Sequence, residues 1–161
     1  MAFQQQLTLS PMEQLAKIIV MEAEAAEQMY SVLTEEQDAL VNFSGDELEI
    51  SVERCTEMGR RVNSLEKDRL RLLERAMKGT PVEKFINAPD AFERLLQVMD
   101  NRGGIKSKLK ESRERLRIAV ANVLQRNAVN KILLQHSMNY AQKNIRIITS
   151  NYSRQLVDQK I

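Results

Sequence analysis

Residues 104–156, GIKSKLKESRERLRIAVANVLQRNAVNKILLQHSMNYAQKNIRIITSNYSRQL, carry apolar side chains at Ile105, Leu109, Leu116, Val120, Val123, Leu134, Met138, Ala141, Ile145, Ile148, Tyr152 and Leu156. Steps of three and four residues, or multiples of them, mark one face of an α-helix. At 1.5 Å per residue such a helix is about 80 Å long, against about 50 Å for each of two other long helical stretches. The excess, roughly twenty residues, carries an apolar stripe that the rest of the chain is not long enough to cover. An uncovered stripe of this kind marks a place where a partner binds.

Helix starts and stops frame the rest. Ser10-Pro11-Met12-Glu13 has a serine cap, a proline in the first turn and a glutamate three residues on, the pattern of a capping box. Ser44-Gly45-Asp46-Glu47 and Thr80-Pro81-Val82-Glu83 repeat the spacing, and Asn87-Ala88-Pro89-Asp90 is a weaker start. Gly45, Gly79 and Gly103-Gly104 are stops. The expected architecture is all-α, an elongated antiparallel bundle of three long helices over about 11–43, 46–78 and 104–156. Short connecting helices are expected near 81–101, with coiled-coil-like packing at shallow crossing angles. The first helix is expected to bury Leu15, Ile18, Ile19, Ala25, Met29, Val32, Leu33, Leu40 and Phe43. The second is expected to bury Leu48, Val52, Cys55, Met58, Val62, Leu65, Leu72, Leu73 and Met77. The 161 residues read as a single helical domain, with residues 1–9 disordered and 140–161 a distal amphipathic segment that gains order on binding.

Composition agrees. Trp is absent, Gly and Pro number five and three, and no run of eighteen apolar residues suggests a membrane span. Residues 1–10 lack the basic and apolar regions of a secretion signal, and the single cysteine fits a reducing cytoplasm. The net charge of +2 hides an asymmetry: residues 1–45 carry −6 and residues 104–161 carry +9. An acidic first helix and a basic last one are matched for pairing within the bundle.

Catalytic chemistry finds no footing. His136 is the one histidine and has no carboxylate within a turn on either side. One His and one Cys cannot make a structural zinc site or a carboxylate-bridged metal centre, so no metal, cofactor or catalytic residue is expected. Cys55 lies on an apolar seam, where a thiol is inert. The basic run Lys106, Lys108, Lys110, Arg113, Arg115, Arg117 is interrupted by Glu111 and Glu114 and has no interleaved aromatics for base stacking. It reads as a solvated face that meets the acidic first helix, and nucleic acid is not an expected partner.

Two features remain for function. Asn127 and Asn130 fall where the last helix would otherwise be apolar. They read either as marginal polar positions or as buried amides that set register. The distal stripe of Leu134, Met138, Ala141, Ile145, Ile148, Tyr152 and Leu156 reads as a site for an amphipathic helical segment of another protein. Folding back on the bundle and self-association through the last helix are the alternatives.

The stretch Leu33-Thr34-Glu35-Glu36-Gln37-Asp38-Ala39-Leu40-Val41, a turn, and Leu65-Glu66-Lys67-Asp68-Arg69-Leu70 resembles the FlgN family of flagellar export chaperones, with its E-x-x-x-L and L-E-x-x-R patterns. Asn127-x-x-Asn130 followed by Ile132-Leu133-Leu134 resembles that family's N-x-x-N segment. Tyr152 stands where the family places a tyrosine, here followed by Ser153-Arg154-Gln155-Leu156 in place of the usual Gly. The resemblance implies a small cytoplasmic chaperone that is not an enzyme. It would bind C-terminal helical ends of hook-associated proteins, keep them unassembled and deliver them to the type III export apparatus. A structural coiled-coil adaptor or stalk subunit of a secretion or ATPase complex is the other architecture that suits such helices.

Overall fold

The computed structural model describes residues 10–100 and 102–158, with side chains described through Thr149 apart from Arg102. The expected disorder of residues 1–9 falls outside this range. Four α-helices follow one another: α1 Pro11–Asn42, α2 Gly45–Met77, α3 Ala91–Val98 and α4 Ile105–Asp158. Short 3-10 turns lie at Glu83–Phe85 and Arg102–Gly104. No strand occurs among the described residues. The three long helices stand close to their expected limits. The fourth helix, α3, is short and lies within the expected connecting stretch 81–101.

Local chemistry explains the boundaries. At Ser10 the Glu13 amide donates to the serine Oγ at 3.3 Å, and the Ser10 amide donates to the Glu13 carboxylate at 2.8 Å. This completes the capping box and uses two of the backbone donors that a helix start leaves open. At the α1–α2 turn the expected stop at Gly45 is displaced. Gly45 opens α2, and the left-handed position is taken by Phe43, with φ +56°. A bulky residue rarely adopts that conformation. The Ser44 side chain makes no cap hydrogen bond, so the serine-to-glutamate spacing there does not form a capping box. At the end of α2 the left-handed residue is Gly79, whose amide donates to Glu83 at 2.9 Å.

Topology departs from a simple antiparallel bundle. The tight turn makes α1 and α2 antiparallel, as expected. Partners between α1 and α4, however, rise together along the chain: Glu27 with Arg115, Tyr30 with Arg126, Leu33 with Asn130 and Phe43 with Tyr140. These two helices therefore run parallel. The physical cause is the connector: α2 descends, residues 78–104 cross the base, and α4 climbs again. Helix α1 is the shared spine, packed along both α2 and α4, while α2 and α4 approach each other only sparsely.

The core is concentrated at the base. Leu15 and Ile19 of α1, Leu73 and Met77 of α2, Phe92 and Leu95 of α3, and Leu109 and Leu116 of α4 form one cluster. The amphipathic α3 plugs this end and closes the bundle. Toward the turn the core thins to Ala25, Ala26, Val32, Leu33, Ala39 and Leu40 of α1. Small side chains let neighbouring helices approach closely. Phe43 and Val52, both expected inside, are exposed at the turn end, where α4 runs beside α1 but no short helix plugs the bundle as α3 does at the base.

Candidate docking surface and the polar layer beneath it

The side of α4 that meets α1 is a seam that repeats every seven residues. Leu109, Ser112, Leu116, Ala119 and Asn130 are buried there, with Val123, Arg126, Leu133 and Ser137 half-buried between and beyond them. The apolar pattern of the sequence does not stay on this seam. An eleven-residue step, Leu109 to Val120 or Val123 to Leu134, gains about 20° on whole turns and a seven-residue step loses about 20°, so the seam winds away from the apolar pattern until Leu134 stands about 100° from the seam's Leu133. The single stripe read from the sequence is thus two surfaces. Its first part is core, and its second part is an exposed ledge.

The ledge consists of Leu134, Met138, Ala141, Ile145 and Ile148, all exposed; Leu134 is 42%, Met138 55%, Ile145 60% and Ile148 53% accessible. Expected members Tyr152 and Leu156 have side chains outside the described residues, although the α4 backbone is helical to Asp158. Near the base the same side of α4 borders an open cleft of about 600 Å³ lined by Arg69, Leu70, Leu73, Phe92, Arg117 and Val120. At the other end Phe43 meets Tyr140, with ring centroids 6.4 Å apart. There α1 has ended. Residues 141–158 project about 27 Å further, beyond the level at which α1 stops.

A polar layer holds α4 against α1 below this projection. Asn130 is 3% exposed, and its Nδ2 donates to the Leu33 carbonyl at 2.7 Å and to Glu36 Oε2 at 3.0 Å. Its Oδ1 is buried and has no hydrogen-bond partner. Cys55 Sγ of α2 lies 3.9 Å from the same Glu36 oxygen, so one carboxylate joins all three long helices. Burial first, and the Glu36 charge second, push the Cys55 thiol up to about 11, which keeps it protonated and inert. Asn127, expected beside Asn130 on the seam, is exposed. Three residues from Asn130 is an ordinary seam step, but the seam advances by four there, from Arg126, so only one of the two amides enters.

The seam's other polar members escaped the sequence reading. Arg126 donates to Gln37 and to the Tyr30 hydroxyl, and its guanidinium lies 5.0 Å over the Tyr30 ring. Nothing in its local sequence separates it from solvated arginines, because its partners lie 89 and 96 positions away. Lower down, Arg69 donates to the buried Glu22 at 2.6 Å. Burial drives the Glu22 carboxyl up from its ordinary range, and the Arg69 hydrogen bond opposes that. The basic run of α4 is paired in part: Arg115 with Glu27 at 2.6 and 2.8 Å, Arg113 with Glu93, Arg117 with Glu114 at 2.6 and 2.8 Å.

His136 is exposed, and among the described residues no three His, Cys, Asp or Glu side chains cluster as metal ligands. No helix among them is long and apolar enough to cross a membrane. The model of the FlgN family, described as FlgN protein, matches residues 12–156, and the chain belongs to that family. Its members are flagellar export chaperones and not enzymes, which makes proteins the partners and flagellum biogenesis the process. No curated protein and no solved structure matches the chain. The motif residues of the resemblance include both ends of the polar layer: Glu36 meets Asn130, and Arg69 meets Glu22.

Proposed function

We propose that the chain is a cytoplasmic chaperone of type III flagellar export whose clients are the C-terminal helical segments of hook-associated proteins. The client helix lies along Leu134, Met138, Ala141, Ile145, Ile148, Tyr152 and Leu156, which keeps it from assembling until delivery to the export apparatus. The observation that supports this reading is the length of α4: it outruns α1 past the Phe43–Tyr140 contact while carrying exposed isoleucines. Burying such side chains is favourable by about 1.5–3 kcal/mol each before ordering costs are subtracted. That is enough for a reversible helix-in-groove complex, and exchange of clients separates a chaperone from a permanent stalk subunit.

The test is calorimetric titration of a purified C-terminal segment of a hook-associated protein into the full chain and into a truncation after Tyr140. The truncation is expected to weaken binding about 100-fold or more, the scale of losing a cluster of central apolar contacts. Equal affinity of the two would defeat the assignment.

A further inference from the structure

The sequence contains no Asp or Glu between Arg115 and Val157, although six Arg and Lys fall in that span. Along its first half the acids come from α1. Arg115 binds Glu27 and reaches Glu24 at 4.0 Å, and Asn130 donates to Glu36. The hydrogen bond to Glu27 is the chief cause of that carboxyl's lowered pKa, the mark of a carboxylate held in its charged form. Helix α1 is thus an acidic amphipathic helix laid on a basic one. Above Tyr140 this arrangement stops on one side only. Helix α4 continues with Arg146, about 100° round the helix from Ile145 at the margin of the apolar arc, and Lys131 lies on the ledge just below. Neither of these two makes a salt bridge among the described residues. Their long stems allow the charged ends to reach the rim of a helix seated on the ledge.

We propose that the ledge is occupied by a partner protein's amphipathic helix whose apolar stripe is edged by Asp and Glu, so that it extends past Tyr140 the pairing that α1 provides below. This rests on reading the ledge as the client site and adds the chemistry by which clients are chosen. A second copy of α4 is a poor occupant, because it brings the same acid-free basic segment against itself. Charge of this kind contributes more to selection and encounter than to tightness.

Two synthetic helical peptides with one apolar stripe, flanked by Glu in the first and Lys in the second, are titrated into the full-length protein. The Glu-flanked peptide is expected to bind about fivefold tighter at an ionic strength of about 0.01 M, two exposed pairs acting together. The ratio falls toward one at about 1 M, where screening acts within about 3 Å. The variant Lys131→Glu/Arg146→Glu, altered only at surface positions, should reverse the preference. Equal binding of both peptides, preference for the Lys-flanked one, or no binding of either overturns the proposal. So does a dimer in sedimentation that Ile145→Asp abolishes, since the second copy is then the occupant. The variant Ile145→Asp/Ile148→Asp separates the two claims. If it binds the Glu-flanked peptide as the wild type does, the ledge is not the site and the client reading falls as well. If it loses both peptides where the wild type shows no charge preference, only the acidic-client proposal falls.

Discussion

The base of the molecule and the far end of α4 are built from the same kinds of residue and do opposite things with them. At the base, Leu109 and Leu116 of α4 are covered by α1, α2 and α3 together. About thirty residues on, Leu134, Met138, Ile145 and Ile148 repeat the chemistry and stay 42–60% exposed among the described residues. The difference is one of available neighbours. Four elements converge at the base because the connector crosses there, whereas α4 climbs on past the last residue of α1. Apolar periodicity thus states that a helix has something to bury and leaves open who covers it.

The sharpest way to break this comparison is a matched pair of truncations. Leu109→Ala, fully buried, is expected to cost about 2–5 kcal/mol in denaturant unfolding, the transfer and cavity terms of a core leucine. Ile145→Ala is expected to stay within about 0.5 kcal/mol in the absence of a client. Comparable losses from the two would mean that the ledge is packed in the free protein.

A smaller effect sharpens the boundary between the regions. Asn130 spends a buried seam position on an amide whose Oδ1 has no partner. Asn130→Leu is expected to raise stability by about 1 kcal/mol, as replacing buried polar groups by apolar ones often does, while doubling some amide resonances through a second α1–α4 register. Greater stability with a single set of resonances would remove the register role. Asn127→Leu, at an exposed position, should change neither.

The smallest effect is electrostatic. The Arg115 hydrogen bond lowers the Glu27 pKa, so the native state binds that proton less readily than the unfolded chain. The stability it contributes is complete above the ordinary carboxylate value of 4.5 and is lost as pH falls through the lowered native value. Both side chains are nearly half exposed, so the amount is below about 1 kcal/mol. Comparing Glu27→Gln with wild type from pH 7 to 3 should show the gap closing on acidification. Glu22 has the opposite sign, its raised pKa making its ionised form a cost that protonation relieves.

Much of this was readable before any coordinates. The capping box at Ser10, the stop at Gly79 and the spacing of Leu15, Ile19, Leu73 and Met77 are local signals, set by backbone donors and helical period, and each appears in the structure. Phe43 was misplaced because being outside or inside depended on where the third helix lay, and Asn127 because a four-residue seam step passed it by. Arg126 looked like any solvated arginine until Tyr30 and Gln37 were brought to it.

The sequence by itself determined that the chain is helical, where its helices begin and end, that α4 is longest, and that charge is divided between the two ends of the chain. These depend on contacts within a few residues or on composition. Tertiary structure alone decided that α1 and α4 run parallel, that α1 is the spine, and that the apolar pattern of α4 divides into a covered seam and an open ledge. Those outcomes depend on which helix lies beside which, a relation between residues some ninety positions apart that no local period encodes.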